Sequence, residues 1–399
     1  TMLPPIAEAE SLPVPFSGGW VYSSLRCLAD SPDIEAGVAI PYRGRDFRHR
    51  KIEGVDYFLI PMCGKLATEY HEGQNEYFAK VKEIFNPDVV HIHGTEYPHG
   101  LNWLHACGPD NMVVSIQGLV SQIALHTRID HEGRLPFSFR DFIKRDGIKG
   151  QSHDFARRGE IECEIIRNAR HIIGRTDWDR AHVWALNPDA GYHYCSETLR
   201  PSFYSHKWNY ADCEPCSIFV SQAGYPIKGL HMLMQAMPLI LREFPETKIY
   251  VAGDDPTTLP LWRIGTYGRY LKGLSRRLNL RDRIIFTGPL SEEQMLQRYL
   301  KSNLFVCCSA IENSPNSLGE ALMLGMPCLS SFAGGAPDIA GYNPHILYRF
   351  EEPVMLAQKA CDIFRQREAF SPEATDTAKY DPEANLRRLK EIYREISQC

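Results

Sequence analysis

The chain has 399 residues, 44% of them apolar and 23% charged, with 44 Lys and Arg against 49 Asp and Glu for a net charge of −5. At ~150 residues per domain this is room for two or three packed domains, and the apolar content excludes disordered, collagenous and fibrous classes. No run approaches the ~18 apolar residues that a membrane-crossing helix needs, and the slight acidity argues against a dedicated nucleic-acid binder.

The N-terminus carries no charged region, and Pro4, Pro5, Pro13 and Pro15 interrupt its apolar residues, so no secretory signal is expected. Pro15-Phe-Ser-Gly18-Gly19-Trp20 is a Gly-Gly loop ahead of a helix. Strands are predicted at Val55–Pro61, Asp88–His93, Met112–Gln117 and His171–Gly174, with helices at Gly73–Phe85 and Phe155–Asn168. Asn187 to Cys216 is rich in Pro, Tyr, Ser and charge and breaks the pattern. Alternation then resumes. Strands are predicted at Ser217–Gln222, Thr247–Ala252, Arg283–Thr287, Leu304–Cys308 and Pro327–Ser331. Helices are predicted at Leu230–Arg242, Trp262–Leu278, Glu292–Leu300, Asn316–Leu324, Val354–Gln366 and Asn385–Glu395. Such β/α alternation predicts an α/β fold of two doubly wound, Rossmann-like units breaking near residue 205: a domain over 1–205, a second over 206–380, and a terminal helix over 381–399. Ligands of open parallel sheets bind beyond the carboxyl ends of the strands, so two such sheets face a shared cleft.

Twelve cysteines are scattered without the density of a disulfide framework, and several sit in apolar runs, which points to a reducing cytosol. Cys213-Glu-Pro-Cys216 has CxxC spacing but neither a second pair nor a His at zinc-site distance, so a linker coincidence stands beside a metal or redox site.

The strongest signal is Glu312-Asn-Ser-Pro-Asn-Ser-Leu-Gly-Glu320, just after the strand Leu304–Cys308. Pro315 suits a first helical turn. The N–H groups of Asn316, Ser317 and Leu318 would then face an anion, favoured by the helix dipole. Glu312 lies on the loop before that turn and Glu320 one turn inside the helix. The plainer reading makes both of them solvated surface charges.

Here the chain resembles the retaining GT-B glycosyltransferases of family four, the group of sucrose-phosphate and mannosyl-type transferases. The likeness is good over roughly residues 160 to 345 and looser in the first half. Its hallmark E-x7-E element is matched by Glu312 and Glu320. The resemblance implies a GT-B fold, two Rossmann-like domains facing across a cleft, with the C-terminal helix crossing back to the first. It also implies that Glu312 contacts the donor sugar, that Glu320 contacts the nucleotide ribose, and that the amides between them hold the diphosphate. Pro226-Ile-Lys228-Gly229 matches the family's Lys-Gly, whose lysine reaches that diphosphate. A point cation there is what metal-independent retaining transfer needs; a Lys capping an exposed turn is the alternative. Where the family usually has an Arg about five residues earlier, this chain has Ser221-Gln222-Ala223, with Arg175 and Arg200 as candidate replacements. Gly253 and Gly288 stand in strand–Gly turns that let backbone approach the nucleotide, and Gly334-Gly335-Ala-Pro337-Asp338 matches a further small-residue turn. Gly19 corresponds to the family's Gly-Gly loop. That loop normally follows a first strand, so the native chain is expected to begin earlier.

His91-Ile-His93-Gly94-Thr95-Glu96 ends a strand and offers His93 and Glu96 to a donor or acceptor; a core histidine or a metal pair is the other reading. The family often has a second His after the next strand. Gln117 stands there, unable to act as acid or base but able to hydrogen-bond a sugar hydroxyl. Asp177-Trp-Asp179 is a D-x-D, yet Thr176 to Asp179 also reads as a helix start. Between Trp262 and Arg283 seven cations meet one acid, and Leu271, Leu274 and Leu278 share a face: an ordinary surface helix or one lying on anionic lipid.

Together these imply a retaining, metal-independent hexosyltransferase. It would need no cofactor beyond a nucleoside diphosphate sugar as co-substrate, use a glycan or lipid-linked acceptor, and serve polysaccharide or glycolipid synthesis. Glu312, Lys228 and His93 are the expected catalytic residues. The expected location is the cytoplasm, with peripheral contact at the inner face of the membrane and no nucleic-acid partner. A sugar-nucleotide epimerase of the same fold and a non-catalytic sugar-nucleotide binder remain alternatives. A nicotinamide dehydrogenase lacks its G-x-G-x-x-G fingerprint here.

Overall fold

The computed structural model describes residues 2–13, 19–62, 68–127, 135–145, 147–260, 262–367 and 377–398. Helices α1 (Pro4–Ala9) and α2 (Gly19–Ala29) lead into β1 (Gly37–Tyr42), β2 (Arg48–Ile52) and β3 (Val55–Pro61). These strands form a three-stranded sheet with β3 central, β1 parallel to it and β2 antiparallel. The Gly-Gly loop ahead of α2 lies outside the described residues except for Gly19, which opens the helix.

The chain continues through α3 (Asn75–Phe85), β4 (Val90–His93), α4 (His99–Cys107), β5 (Met112–Ser115), α5 (Val120–Leu125), α6 (Phe139–Lys144), α7 (Ile148–Asn168), β6 (His171–Gly174), α8 (Asp177–Leu186) and β7 (Gly191–Tyr194). Strands β4 to β7 form a parallel sheet in sequence order. Helical crossovers cover a parallel sheet on both faces, which is why Met112, Val113, Val114 and Ile172 are all fully buried. Strands β1, β2 and β7 go beyond those the sequence pattern predicts. Arg-His-Arg-Lys-Ile at β2 is a polar edge, and Gly-Tyr-His-Tyr at β7 lacks aliphatic residues, so both lie outside the apolar strand pattern.

The second lobe holds β8 (Glu214–Val220), α9 (Leu230–Glu243), β9 (Lys248–Val251), α10 (Thr266–Arg277), β10 (Ile284–Phe286), α11 (Glu292–Leu300), β11 (Ser302–Cys307), α12 (Asn316–Leu324), β12 (Cys328–Ser331), α13 (Ala336–Ile339), β13 (Leu347–Tyr348) and α14 (Pro353–Gln366). Its six strands are all parallel in the order β10-β9-β8-β11-β12-β13. The chain enters at β8, winds outward to β10, then returns to β11 on the other side of β8. Loops leaving β8 and β11 therefore diverge and open a crevice beyond their carboxyl ends.

The final helix α15 (Pro382–Ser397) returns to the first lobe. Ile392 and Ile396 pack with Val113 of β5 and Ile173 of β6, and Tyr393 shares a 2.7 Å hydrogen bond with His91 of β4. The expected pair of α/β units with a returning terminal helix is thus present.

Of the two readings of the basic segment, the structure favours the ordinary surface helix. The basic helix weighed as a lipid-lying element is α10, and its apolar stripe is already used. Leu271 and Leu274 are 1% and 2% exposed, inside the second lobe's core beside α9. A helix that has spent its apolar face in a core has none to bury in a bilayer. No helix among the described residues is long and apolar enough to cross a membrane.

Candidate active site at the switch point

The crevice between β8 and β11 holds the first two predicted residues together. After β8 the chain makes a short turn, Pro226–Lys228, ended by Gly229 at φ +70°. A side chain on Gly229 would run into the carbonyl of Cys308, so this turn presses directly on the end of β11. Ala310 N donates to Ile227 O at 2.7 Å and locks the contact. Lys228 Nζ then donates to Glu312 Oε1 at 2.6 Å, and Ser309 Oγ donates to the same oxygen at 2.7 Å. Burial pulls the Lys228 ammonium down, but Glu312 overcomes it and holds the group well above its ordinary value. The lysine is therefore a permanent cation in a partly dry crevice.

Helix α12 begins beside this pair. Leu318 N donates to Pro315 O at 3.0 Å, so of the three amides expected to face an anion, that of Leu318 is spent within the helix. The amides of Asn316 and Ser317 have no acceptor among the described residues, as first-turn amides do not. Glu320 departs further from expectation. It is 3% exposed, and Arg200 forks onto it with Nε to Oε1 at 2.7 Å and Nη2 to Oε2 at 2.6 Å. Burial pushes this carboxyl up and Arg200 opposes it. Both oxygens are occupied, so the carboxylate is not open to a ribose in this state. Arg200, weighed as a stand-in for a diphosphate-binding arginine, is committed to Glu320. Its guanidinium also lies 4.8 Å over the Phe203 ring.

Gly253 (φ +108°) and Gly288 (φ +75°) bridge each other at the ends of β9 and β10, with N···O distances of 2.9 and 3.2 Å. Both have open space where a side chain would be, so backbone is bare there although these amides are paired. Gln222 is exposed just beyond β8. Gly334 and Gly335 pack on the loop after β11. A side chain on Gly334 would strike Glu312 O, and one on Gly335 would strike Asn313 O and Thr176.

Across the cleft, four successive strands of the first lobe end in polar residues: Glu96 after β4, Gln117 after β5, Arg175 after β6 and Glu197 after β7. Arg175 Nη2 donates to Ile116 O at 3.0 Å and reaches Gln117 O and Oε1 at 3.3 and 3.4 Å. Its Nη1 lies 2.8 Å from Glu197 Oε2. Glu96 folds its carboxylate back beneath Gly94, near Gln117 and Gly118. Burial, with the Glu162 charge adding to it, pushes the Glu96 carboxyl up to about 7, against Arg158 and Arg175. Glu162 itself is fully buried and accepts from Thr95 Oγ1, Val120 N, Ser121 N and Ser121 Oγ at 2.6 to 3.0 Å. Burial pushes the Glu162 carboxyl up, and that cage opposes the shift. His93 stacks on His91 with ring centroids 3.9 Å apart, and His91 spans Ser115 and Tyr393. Of this pair His91 is the structural member, and His93 is the exposed one.

The two lobes meet here. Thr176 Oγ1 donates to Asn313 Oδ1 at 3.2 Å, Asp177 N to Asp338 Oδ1 at 3.0 Å, and Asn316 Nδ2 to Glu197 Oε2 at 3.1 Å. Glu197 was missed by sequence reasoning because it follows the unpredicted strand β7. Two buried atoms along this seam, Glu197 Oε1 and Asn313 Nδ2, lack hydrogen-bond partners, and Arg175 Nη1 has only its ion pair with Glu197 Oε2. A donor and an acceptor left unsatisfied, beside a lysine and free helix amides, fit a ligand that is both anionic and hydroxylated. The D-x-D segment serves the fold instead. Thr176 caps α8 by accepting from Asp179 N at 3.1 Å, and fully buried Asp179 accepts from Arg175 N and Tyr192 OH. Among the described residues no three metal-ligating side chains converge.

Residues 204–371 match the family model described as "Glycosyl transferases group 1". Spore coat protein SA of Bacillus subtilis is 27% identical over 149 residues, 36% of this chain and 37% of that protein. Sulfoquinovosyl transferase of Arabidopsis thaliana is 26% identical over 263 residues, 64% of this chain and 44% of that protein. The chain thus spans less than half the length of either relative. Among solved structures, sucrose-phosphate synthase from Thermosynechococcus elongatus superposes with a TM-score of 0.69 at 15% identity, covering 95% of this chain and 94% of that one. HepE of Anabaena in complex with UDP-glucose gives 0.57 at 16% identity, with 86% of each chain covered. The fold is therefore GT-B: two Rossmann-like lobes with the cleft between them. The match to the glycosyltransferase group 1 model falls on its second lobe.

Proposed function

We propose that this protein is a retaining, metal-independent glycosyltransferase that moves a sugar from a nucleoside diphosphate sugar to a hydroxyl of a glycan or lipid-linked acceptor. The observation that carries the reading is the Lys228–Glu312 pair, 2.6 Å apart at the switch point beside the free amides of Asn316 and Ser317. In this reading the diphosphate lies against Lys228 and the α12 amides, and Glu312 orients the sugar. The bond from anomeric carbon to diphosphate breaks while the acceptor oxygen bonds on the same face. The acceptor proton passes to the leaving phosphate oxygen. Preorganised cations and amides at a developing anion are the largest available source of rate. Glu320 reaches the ribose once Arg200 yields one of its two bonds. Gln222, Arg175, Gly253 and Gly288 complete the donor side, with His93, Glu96 and Gln117 on the acceptor side. All ten described cysteines are free thiols, which fits a reducing cytoplasm.

The test is a thermal-shift panel of UDP, GDP, ADP and their hexose derivatives, followed by product analysis with and without acceptor. Because HepE is seen with UDP-glucose, UDP sugars come first. A saturating donor at a hundred times its Kd stabilises by about 2.7 kcal/mol, and transfer should retain the anomeric configuration. An epimerised donor with no transfer would sink the reading.

Glu96 supplies a second check. A carboxyl at about 7 gives acceptor turnover an ionisation near neutrality, and Glu96→Gln should flatten that limb. The sign for stability is also set. The native pKa exceeds the unfolded one, so wild-type stability is lost as pH rises through the native value. Glu96→Gln cannot ionise, so its Tm should exceed that of wild type at alkaline pH and match it in acid.

A further inference from the structure

Residues 135–145 and 147–148 belong to an arm that docks on the second lobe. Leu135 and Ile148 pack against the second lobe's core at its two ends. Between them Ser138 Oγ donates to Ile264 O at 2.8 Å, Thr266 N donates to Asp141 Oδ2 at 2.7 Å, and Arg269 donates to Phe137 O at 2.8 Å. Ser138 also caps α6, accepting from Asp141 N at 3.2 Å. A helix of six residues does not hold itself together in water; here these anchors hold it. What it presents outward is apolar. Phe137, Phe139, Phe142 and Ile143 are 64%, 52%, 70% and 61% exposed, and Trp262, two residues from the Ile264 anchor, is 66% exposed. Apolar side chains scattered singly on a surface need no explanation, but four within seven residues do.

The setting of the patch identifies its partner. Residues 135–150 contain Arg140, Lys144, Arg145 and Lys149 against Asp141 and Asp146, and Asp141 is turned inward onto Thr266. Lys144, Arg145 and Lys149 are exposed, as is Arg263, which stacks over Trp262 at 5.6 Å. A chain of net charge −5 thus rings its apolar patch with cations. A second copy of the chain would bring like charges together, whereas an anionic lipid surface accepts aromatic rings at headgroup depth and cations around them.

We propose that the arm around α6, together with Trp262, is a docking surface for an anionic bilayer. The arm lies in the crossover from β5 to β6, after α5, and the Trp262 segment in the crossover from β9 to β10, so docking would engage both lobes at once. The proposal stands apart from the transferase reading, because vesicle binding is measured without donor or acceptor.

The experiment is co-sedimentation with vesicles of phosphatidylcholine alone or mixed with phosphatidylglycerol. Wild type should pellet with the mixed vesicles and remain in solution with the neutral ones. The variant F139S/F142S/I143S should bind at least about tenfold more weakly, since each buried apolar side chain contributes more than one factor of ten at full depth. Lys144→Glu with Arg145→Glu should abolish the preference for phosphatidylglycerol. These side chains are exposed, so the Tm of every variant should match wild type. Absence of binding, equal binding to both vesicles, or triple-variant binding at wild-type strength would overturn the proposal. A concentration-dependent oligomer dissolved by the triple variant would also overturn it, by assigning the patch to self-association.

Discussion

Glu312→Ala is expected to lower turnover by about 10²–10³-fold while nucleotide affinity stays close to wild type. The separation follows from what Glu312 does before and after ligand arrives. In the free protein its Oε1 is the acceptor for Lys228 and Ser309, and it is the charge that keeps the lysine protonated against burial. A bound diphosphate brings negative charge of its own to Lys228, so loss of Glu312 does not leave the cation alone in the complex. In the proposed function the sugar, by contrast, loses the side chain assigned to orient it over the leaving group. Without Glu312 burial dominates at Lys228, so nucleotide binding by the variant should weaken at a lower pH than in wild type. Steady-state kinetics with nucleotide titrations across pH check both points. Glu312→Gln, which keeps size and an acceptor oxygen, separates loss of charge from loss of packing. Equal losses of turnover and nucleotide affinity would contradict the assignment.

Arg200→Ala is expected to cost on the order of 3 kcal/mol of stability, because it strands a charge that is nearly fully buried. Glu320 is 3% exposed and both its oxygens are taken by that one guanidinium. The pair also ties the segment joining the lobes to the helix whose first amides face the cleft. Replacing both partners by apolar residues of similar volume, Arg200→Met with Glu320→Leu, should cost less than the single change, since no unpaired charge then remains inside. Chemical denaturation of the three proteins measures this. If Glu320 also serves the ribose, Glu320→Gln weakens nucleotide binding more than it lowers turnover, the reverse of Glu312→Ala.

Different parts of this molecule were legible to different degrees. The second lobe's strands carry continuous apolar runs because their sheet is covered on both faces, and such runs stand out in sequence. In the first lobe, β2 is a polar antiparallel edge and β7 is built from Gly, Tyr and His. Neither has a periodicity that sequence reasoning can weigh. Glu312 and Lys228 announce themselves through local context, a Pro-Asn-Ser-Leu-Gly turn and a Lys-Gly turn, each after an apolar strand. Glu197 has no such context and emerges only when β7 is placed beside β6.

By itself the sequence determined the α/β alternation in two units, while its resemblance to family four implied the GT-B plan and pointed to Lys228 after β8 and Glu312 after β11. The alternation rests on backbone preferences and apolar spacing, which act over a few residues, and the resemblance on short motifs of the same reach. Tertiary structure alone decided that Glu320 is held by Arg200, 120 positions away, that Glu197 meets Arg175 within its own lobe and Asn316 across the cleft, and that α10 buries its leucines while α6 exposes its phenylalanines. The reason is physical. Which side chains meet at the end of a sheet depends on the spatial order of its strands, and that order is set by crossovers and by how lobes pack, not by neighbours along the chain.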